Sequence, residues 1–268
     1  WWGGRGGTPD DAAGAVFLLC IPEAEDSTGH RVMGESGREA GDSQELCVES
    51  NVVLGDQLLS QAEIRTRAAY AAAGFRTLGV DRGDAIALLL RNDIPFVEVP
   101  TAAEHLAAYS VPLNWHLSAR EVLHVLIDSG AKALVAHADL LHGIRHVVPD
   151  ELPVIVVATP RLIQEAYAID ASTCSPPSEY PVWTQWLAEY EPLPGDAAGA
   201  AMTMMYTSGT TGRPKGVRRE PATAEQIARL RSTEPKVMGS RPGMRTVICG
   251  PLYHAAPLHF ARVAYDTG

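Results

Sequence analysis

Nine residues from Ser208 to Gly216 hold three hydroxyls, three glycines and one lysine. They lie in the run Tyr206-Thr207-Ser208-Gly209-Thr210-Thr211-Gly212-Arg213-Pro214-Lys215-Gly216-Val217. Glycine, lacking a Cβ, lets backbone N–H groups turn inward around a small anion. Hydroxyls add donors, and lysine adds a compact positive charge suited to phosphate. The chemistry this spacing suggests is the cradling of phosphates, and hence nucleotide chemistry. Two commoner glycine motifs do not fit. The NTPase P-loop needs G-x-x-x-x-G-K-[ST]; counted from Gly209, its second glycine falls on Pro214, and Gly216 follows Lys215. The dinucleotide fingerprint G-x-G-x-x-G fails because Gly209 and Gly212 are wrongly spaced.

The surrounding sequence predicts the elements that must position this run. An apolar stretch, Ala200 to Tyr206, reads as a strand leading into it. Upstream, Gln57 to Phe75 is Ala-rich with apolar spacing near one helical turn and reads as a helix ending near Gly74. Asp84 to Leu90 reads as a buried strand, Ile94 to Ala108 as a helix and Tyr109 to Leu113 as a strand. Ser118 and Glu121 form a capping-box pattern for a helix to Asp128, with Gly130 as its stop. Lys132 to Ala136 and Pro153 to Ala158 are further strands. Cys174 to Gly195, rich in Pro and Trp, reads as an irregular surface connection; a helix over Ala222 to Thr233 and a strand over Thr246 to Cys249 follow. Helix and strand alternate at βαβ spacing, so the expected fold class is α/β, with mostly parallel sheets flanked by helices. Ligands of such sheets bind at the carboxyl ends of strands, where the phosphate run is expected.

Composition narrows the function classes. The chain has 268 residues, 46% of them apolar, enough for a sizeable core. Its 22 basic and 32 acidic residues leave a net charge of −10 with no basic patch, which argues against nucleic acid as a partner. Cys20, Cys47, Cys174 and Cys249 are scattered and form no metal-ligand pattern, so they read as free thiols in a reducing compartment. No apolar run reaches transmembrane length, and the expected location is cytoplasmic. Residues 1–50 are rich in Gly, Ser, Glu and Asp, begin without methionine, and read as a disordered tail or a non-native leader.

Over its whole length the 206–217 run resembles the signature of the adenylate-forming (AMP-binding) enzymes, roughly [ST]-S-G-[ST]-T-G-x-P-K-G, with every fixed place met. Flanking segments are similar to the family's in the same order. They are Ala108-Tyr109-Ser110-Val111-Pro112-Leu113-Asn114-Trp115, Asp128-Ser129-Gly130-Ala131-Lys132 and Gly250-Pro251-Leu252-Tyr253-His254. The wording is most like acyl-CoA synthetases of fatty or related carboxylic acids. The sequence departs from the family after Val217, where Arg218-Arg219-Glu220-Pro221 replaces a histidine-bearing segment. The arginine pair reads as solvated charge, and Trp115 as core packing. His105, His116, His124, His137, His142, His146 and His259 read as helix-face or loop residues.

The resemblance implies a mechanism. A carboxylate attacks the α-phosphate of ATP to give an acyl-adenylate and pyrophosphate, and the thiol of coenzyme A then displaces AMP. Thr207, Ser208, Gly209, Thr210, Thr211 and Gly212 are implied to hold the β- and γ-phosphates. Lys215 is the implied catalytic residue, neutralising the phosphates or fixing the loop; Mg²⁺ is implied as their bridging ion. His254 is implied to line the acyl pocket. The family's adenine-binding Y-G-x-T-E, its ribose-binding aspartate and its lysine-bearing mobile domain do not occur in these 268 residues. The expectation is therefore an incomplete N-terminal AMP-binding domain over residues 51–268, inactive alone, and a homo-oligomer of the complete enzyme stays open. Two alternatives stand beside the ligase: a catalytically dead binding or interaction fragment, and an adenylating enzyme of another branch, aminoacyl or luciferase-like.

Overall fold

The structure, a computed structural model, describes residues 18–22, 50–55, 57–195, 202–208, 213–242 and 244–267, with backbone only at 18–22, 50 and 208. In chain order the elements are β1 (Leu18–Pro22), β2 (Ser50–Leu54), β3 (Gln57–Ser60), α1 (Gln61–Thr77), β4 (Ala85–Leu89), α2 (Pro95–Leu106), β5 (Tyr109–Pro112) and α3 (Ala119–Ser129). Then come β6 (Ala131–His137), α4 (Ala138–Ile144), β7 (Val154–Val157), α5 (Arg161–Ala166), α6 (Trp183–Leu187) and β8 (Met202–Thr203). The last are β9 (Met205–Ser208), β10 (Pro214–Val217), α7 (Ala224–Met238), β11 (Thr246–Ile248) and α8 (Ala255–Thr267).

The centre is a five-stranded sheet in the order β7-β6-β4-β5-β8. Every pairing in it is parallel. Its strands are buried on both faces, which is why β4 reads as an unbroken apolar run instead of an alternating one. Ile86, Leu88, Val135 and Ile155 face one apolar cluster with Ile64, Phe75, Val99 and Trp183 of α1, α2 and α6. Ala87, Leu89, Leu134 and Val156 face the other, with Val122, Val125 and Leu126 of α3 and Leu141 of α4. The expected α/β class with a parallel sheet between helices is what folds. A second, antiparallel sheet in the order β11-β1-β2-β3 and a β9–β10 hairpin complete it.

Local chemistry explains where the boundaries moved. The helix expected from Gln57 starts at Gln61, because Ser60 and Glu63 form a capping box and residues 57–60 pair with β2 instead. It also runs past Gly74 to Thr77. Gly74 is a packing glycine rather than a stop: a Cβ there would stand 2.5 Å from Trp186 Cζ2. The Ser118 capping box and the Gly130 stop, at φ 64°, both appear on α3. The helix expected over 222–233 is capped by Thr223 and continues to Met238, closed by Gly239 in the left-handed region.

One connection is not a surface loop. Within 174–195, Trp183, Trp186 and Leu187 are buried in α6, and Val182 bridges to Val156. Trp183 Nε1 donates to Glu98 Oε2 at 2.6 Å, and Arg67 also bonds this buried carboxylate, tying α1, α2 and α6 together. Apolar burial of the two indole rings overrides the local Pro and Gly signals.

Candidate functional site

The phosphate run does not hang from a strand as a free loop. Thr207 and Ser208 end β9, and Pro214-Lys215-Gly216-Val217 form β10, the returning arm of an antiparallel hairpin. Gly209, Thr210, Thr211 and Gly212 lie between the arms and outside the described residues. The register pairs Lys215 with Thr207 and Pro214 with Ser208. Directly opposed residues of an antiparallel pair have Cβ atoms about 4.5–5.5 Å apart on one face. A hydroxyl and an ammonium group, both on exposed residues, therefore start side by side at the base of the run. The hairpin continues from β8 at the edge of the parallel sheet, and Met204 between them still donates to Ser110 O at 2.9 Å.

The next pair, Gly216 opposite Tyr206, is set by shape. A Cβ at Gly216 would lie 2.7 Å from Tyr206 Cζ, so only glycine lets the ring cross the β10 backbone. The Tyr206 hydroxyl donates to Asp128 Oδ2 at 2.7 Å. Burial first, and the Asp128 carboxylate second, push this phenol well above the usual tyrosine range, so it stays a donor at neutral pH. His124 Nε2 stands 3.0 Å from the Pro214 carbonyl. The following arginines are not both free charge. Arg218 bonds the Gly83 carbonyl and lies 4.7 Å from the centre of the Tyr109 ring, while Tyr109 Oη donates to Arg219 O at 2.6 Å.

His254 belongs to a second group. It sits on the turn before α8, with its N–H on Pro251 O and its ring 4.4 Å from the Tyr253 ring centre. Partial burial holds the imidazole below the usual histidine value, favouring the neutral form. Tyr253 meets Trp115 edge-on at 6.1 Å, and Trp115 meets Tyr167 edge-on at 5.5 Å. Trp115 thus packs as expected and also joins the aromatic group that backs His254.

Sequence reasoning missed the residues that hold this group in place. Adjacent β4 and β6 send their following helices to opposite faces of the sheet, which makes a crevice at their carboxyl ends. Arg91, Asn92 and Asp93 leave β4 there, and His137 ends β6. His137 is fully buried, not a loop residue: its Nδ1 accepts the Arg91 N–H at 3.1 Å, so Nε2 carries the proton and donates to Asp93 Oδ2 at 2.9 Å. Arg91 Nη1 bonds Asp139 Oδ2 at 2.6 Å and its guanidinium stacks on Trp115 and Tyr167. Asn92 bridges the turn before His254, donating to Gly250 O at 3.0 Å and accepting Leu252 N–H at 2.8 Å. The legible signal was three polar residues directly after a buried strand.

The parallel sheet, the Ser/Thr/Gly/Lys hairpin at its edge and the Tyr253-His254 turn together define an α/β protein with two groups of polar side chains beside its central sheet. The chain belongs to the AMP-binding enzyme family, which it matches over residues 41–264. It is 31% identical over 205 residues to a feruloyl-CoA synthase of an Amycolatopsis species, across 76% of this chain and 36% of that protein. It is 29% identical over 214 residues to the long-chain-fatty-acid–CoA ligase FadD13 of Mycobacterium tuberculosis, across 76% of this chain and 37% of that one. The chain thus spans just over a third of the length of these relatives. A natural red-emitting luciferase from Phrixothrix hirtus shares the fold at 20% identity, with a TM-score of 0.61 over 80% of this chain and 40% of the luciferase. No helix among the described residues is long and apolar enough to cross a membrane.

Proposed function

We propose that this chain is the phosphate-handling first part of an ATP-dependent acid–thiol ligase. Residues 51–268 form an incomplete N-terminal AMP-binding domain in a cytoplasmic enzyme; of the tail or leader over 1–50, Leu18–Pro22 joins that domain as β1, paired with β2 and β11. The enzyme activates a carboxylic acid as its acyl-adenylate and passes the acyl group to the thiol of coenzyme A. The observation that carries this reading is the cross-strand pairing of Thr207 with Lys215 at the base of the glycine-rich run. Donors and a cation at that place suit the charge that gathers on pyrophosphate as it leaves, which is where electrostatic catalysis is most effective. Thr207, Ser208, Gly209, Thr210, Thr211 and Gly212 hold the β- and γ-phosphates, and Lys215 neutralises them. The hydroxyl-and-ammonium donor set fits phosphate oxygens. Mg²⁺ would enter with the nucleotide and would add to the charge neutralisation that Lys215 supplies.

His254, neutral and backed by Tyr253 and Trp115, lines the acyl pocket in this reading. The acid is a fatty or related carboxylic acid. A second reading, an aryl acid, is favoured by the Tyr253 ring beside His254, itself packed edge-on against Trp115, and by the relative named as a feruloyl-CoA synthase.

Calorimetric titration of the chain with magnesium pyrophosphate and magnesium ATP tests the phosphate reading. Binding that weakens about tenfold or more in Lys215→Ala, the equivalent of ~1.5–3 kcal/mol of charge-assisted bonding, is expected. Equal binding by wild type and Lys215→Ala would overturn it. Alone, the chain is expected to show no carboxylate-dependent ATP–pyrophosphate exchange. Exchange above background that Lys215→Ala abolishes would disprove that inactivity while keeping the site.

A further inference from the structure

The hairpin that carries Thr207 and Lys215 is a sheet of only two strands. Such a ribbon is marginal in water unless something else holds it. Two side chains of α3 touch it, one on each arm. Asp128 Oδ2 takes the Tyr206 hydroxyl on β9 at 2.7 Å, and His124 Nε2 meets the Pro214 carbonyl on β10 at 3.0 Å. A carbonyl can only accept, so the histidine donates. The two residues are one helical step of four apart, and so share one face of α3. Tyr206 adds the third contact, its ring lying across Gly216 of the opposite arm and packing against the apolar cluster under α3. The helix is itself fixed by its capping box at Ser118 and by Val122, Val125 and Leu126 in the core.

We propose that His124 and Asp128 are positioning residues for the phosphate run: α3 clamps both arms of the hairpin and so sets Thr207 and Lys215 at the separation that accepts a phosphate. This rests on the phosphate reading given above. Neither residue needs to touch the nucleotide; both act through Tyr206 and the Pro214 carbonyl. The clamp also explains why the sequence spends a tyrosine and a glycine on facing positions, since Tyr206 can reach Asp128 only by crossing a residue without a side chain.

The test is hydrogen exchange by mass spectrometry on the 268-residue chain, with and without magnesium pyrophosphate. It compares wild type, Asp128→Ala, Tyr206→Phe, the double variant and Asp128→Asn. Tyr206→Phe keeps the ring over Gly216 and removes only the hydroxyl, so it remains informative even where Asp128→Ala disturbs folding. Each single loss is expected to speed exchange of the β9 and β10 amides about fivefold, the range for one ordinary hydrogen bond, with the β4 and β6 amides unchanged. The double variant should be no faster than either single one, as a shared bond requires. Asp128→Asn, whose amide oxygen can still accept, should restore most of the protection. Pyrophosphate affinity should fall by the same factor in the variants that lose the bond. Unchanged hairpin exchange in both single variants would overturn the clamp. Faster exchange with undiminished pyrophosphate affinity would overturn its role at the site. Wild type that binds no pyrophosphate would remove the phosphate reading and this proposal with it, recognisably, because the exchange rates would still report the clamp.

Discussion

Every residue of β4 is buried, whereas three of the four residues of β10 are exposed. The contrast extends to the neighbouring helices. α1 and α2 carry Ile64, Phe75, Phe96 and Val99 into the core with almost no exposure, while α7 has no buried residue and leaves Val237 80% exposed. Apolar burial on two faces makes the parallel sheet a platform that needs no individual polar bond to keep its register. The hairpin has no such support. It depends on a few directional contacts, Tyr206 to Asp128, His124 to Pro214 and Tyr206 over Gly216. The contacts are confined to the stem of the hairpin and leave Thr207 and Lys215 exposed. The turn at Gly250 is held in the same manner, by the two hydrogen bonds of Asn92.

Substitutions can break or sharpen this contrast. The largest effect belongs to the platform. Phe75 sits 5.1 Å from the Trp186 ring and 6.2 Å from Trp183. Phe75→Ala should lower stability by about 3–5 kcal/mol in urea unfolding. A loss below ~1 kcal/mol would show that the aromatic layer does not hold α1 to α6. Asn92→Ala should come next, at about 1–3 kcal/mol, because it leaves the buried Leu252 N–H without its acceptor. Its mark is local: exchange should accelerate at 250–254 and not at β9 or β10, and a uniform acceleration would argue that Asn92 serves the whole fold. The smallest effect is on α7, where Val237→Ser should change stability by no more than ~0.5 kcal/mol. A larger loss in thermal unfolding would mean that the exposed face of α7 is covered in solution.

Much of the platform was legible in the sequence. The run Asp84 to Leu90 read as a buried strand, which Ala85–Leu89 forms, and Ser118 with Glu121 and Gly130 marked both ends of α3. The Ser60 capping box was equally present, yet Leu58 and Leu59 before it ran on into the apolar, Ala-rich period after it and hid the helix start. Gly74 misled for a different reason. Its absent side chain answers to Trp186, 112 residues away in sequence, which no local pattern records. His137 and Trp183 were misplaced likewise, since each is defined by a distant carboxylate, Asp93 or Glu98.

The types and spacing of residues 206–217 determined by themselves which family pattern this protein follows, and they carry the proposal of a phosphate cradle. Those features are local, because backbone freedom, hydroxyls and charge are properties of the residues themselves. Tertiary structure alone decided that Lys215 stands on a strand opposite Thr207, that α3 grips both arms, and that Asn92 ties the His254 turn to the carboxyl end of β4. Each of those facts is a contact between segments remote in sequence, and only packing of the sheet and its helices brings them within bonding distance.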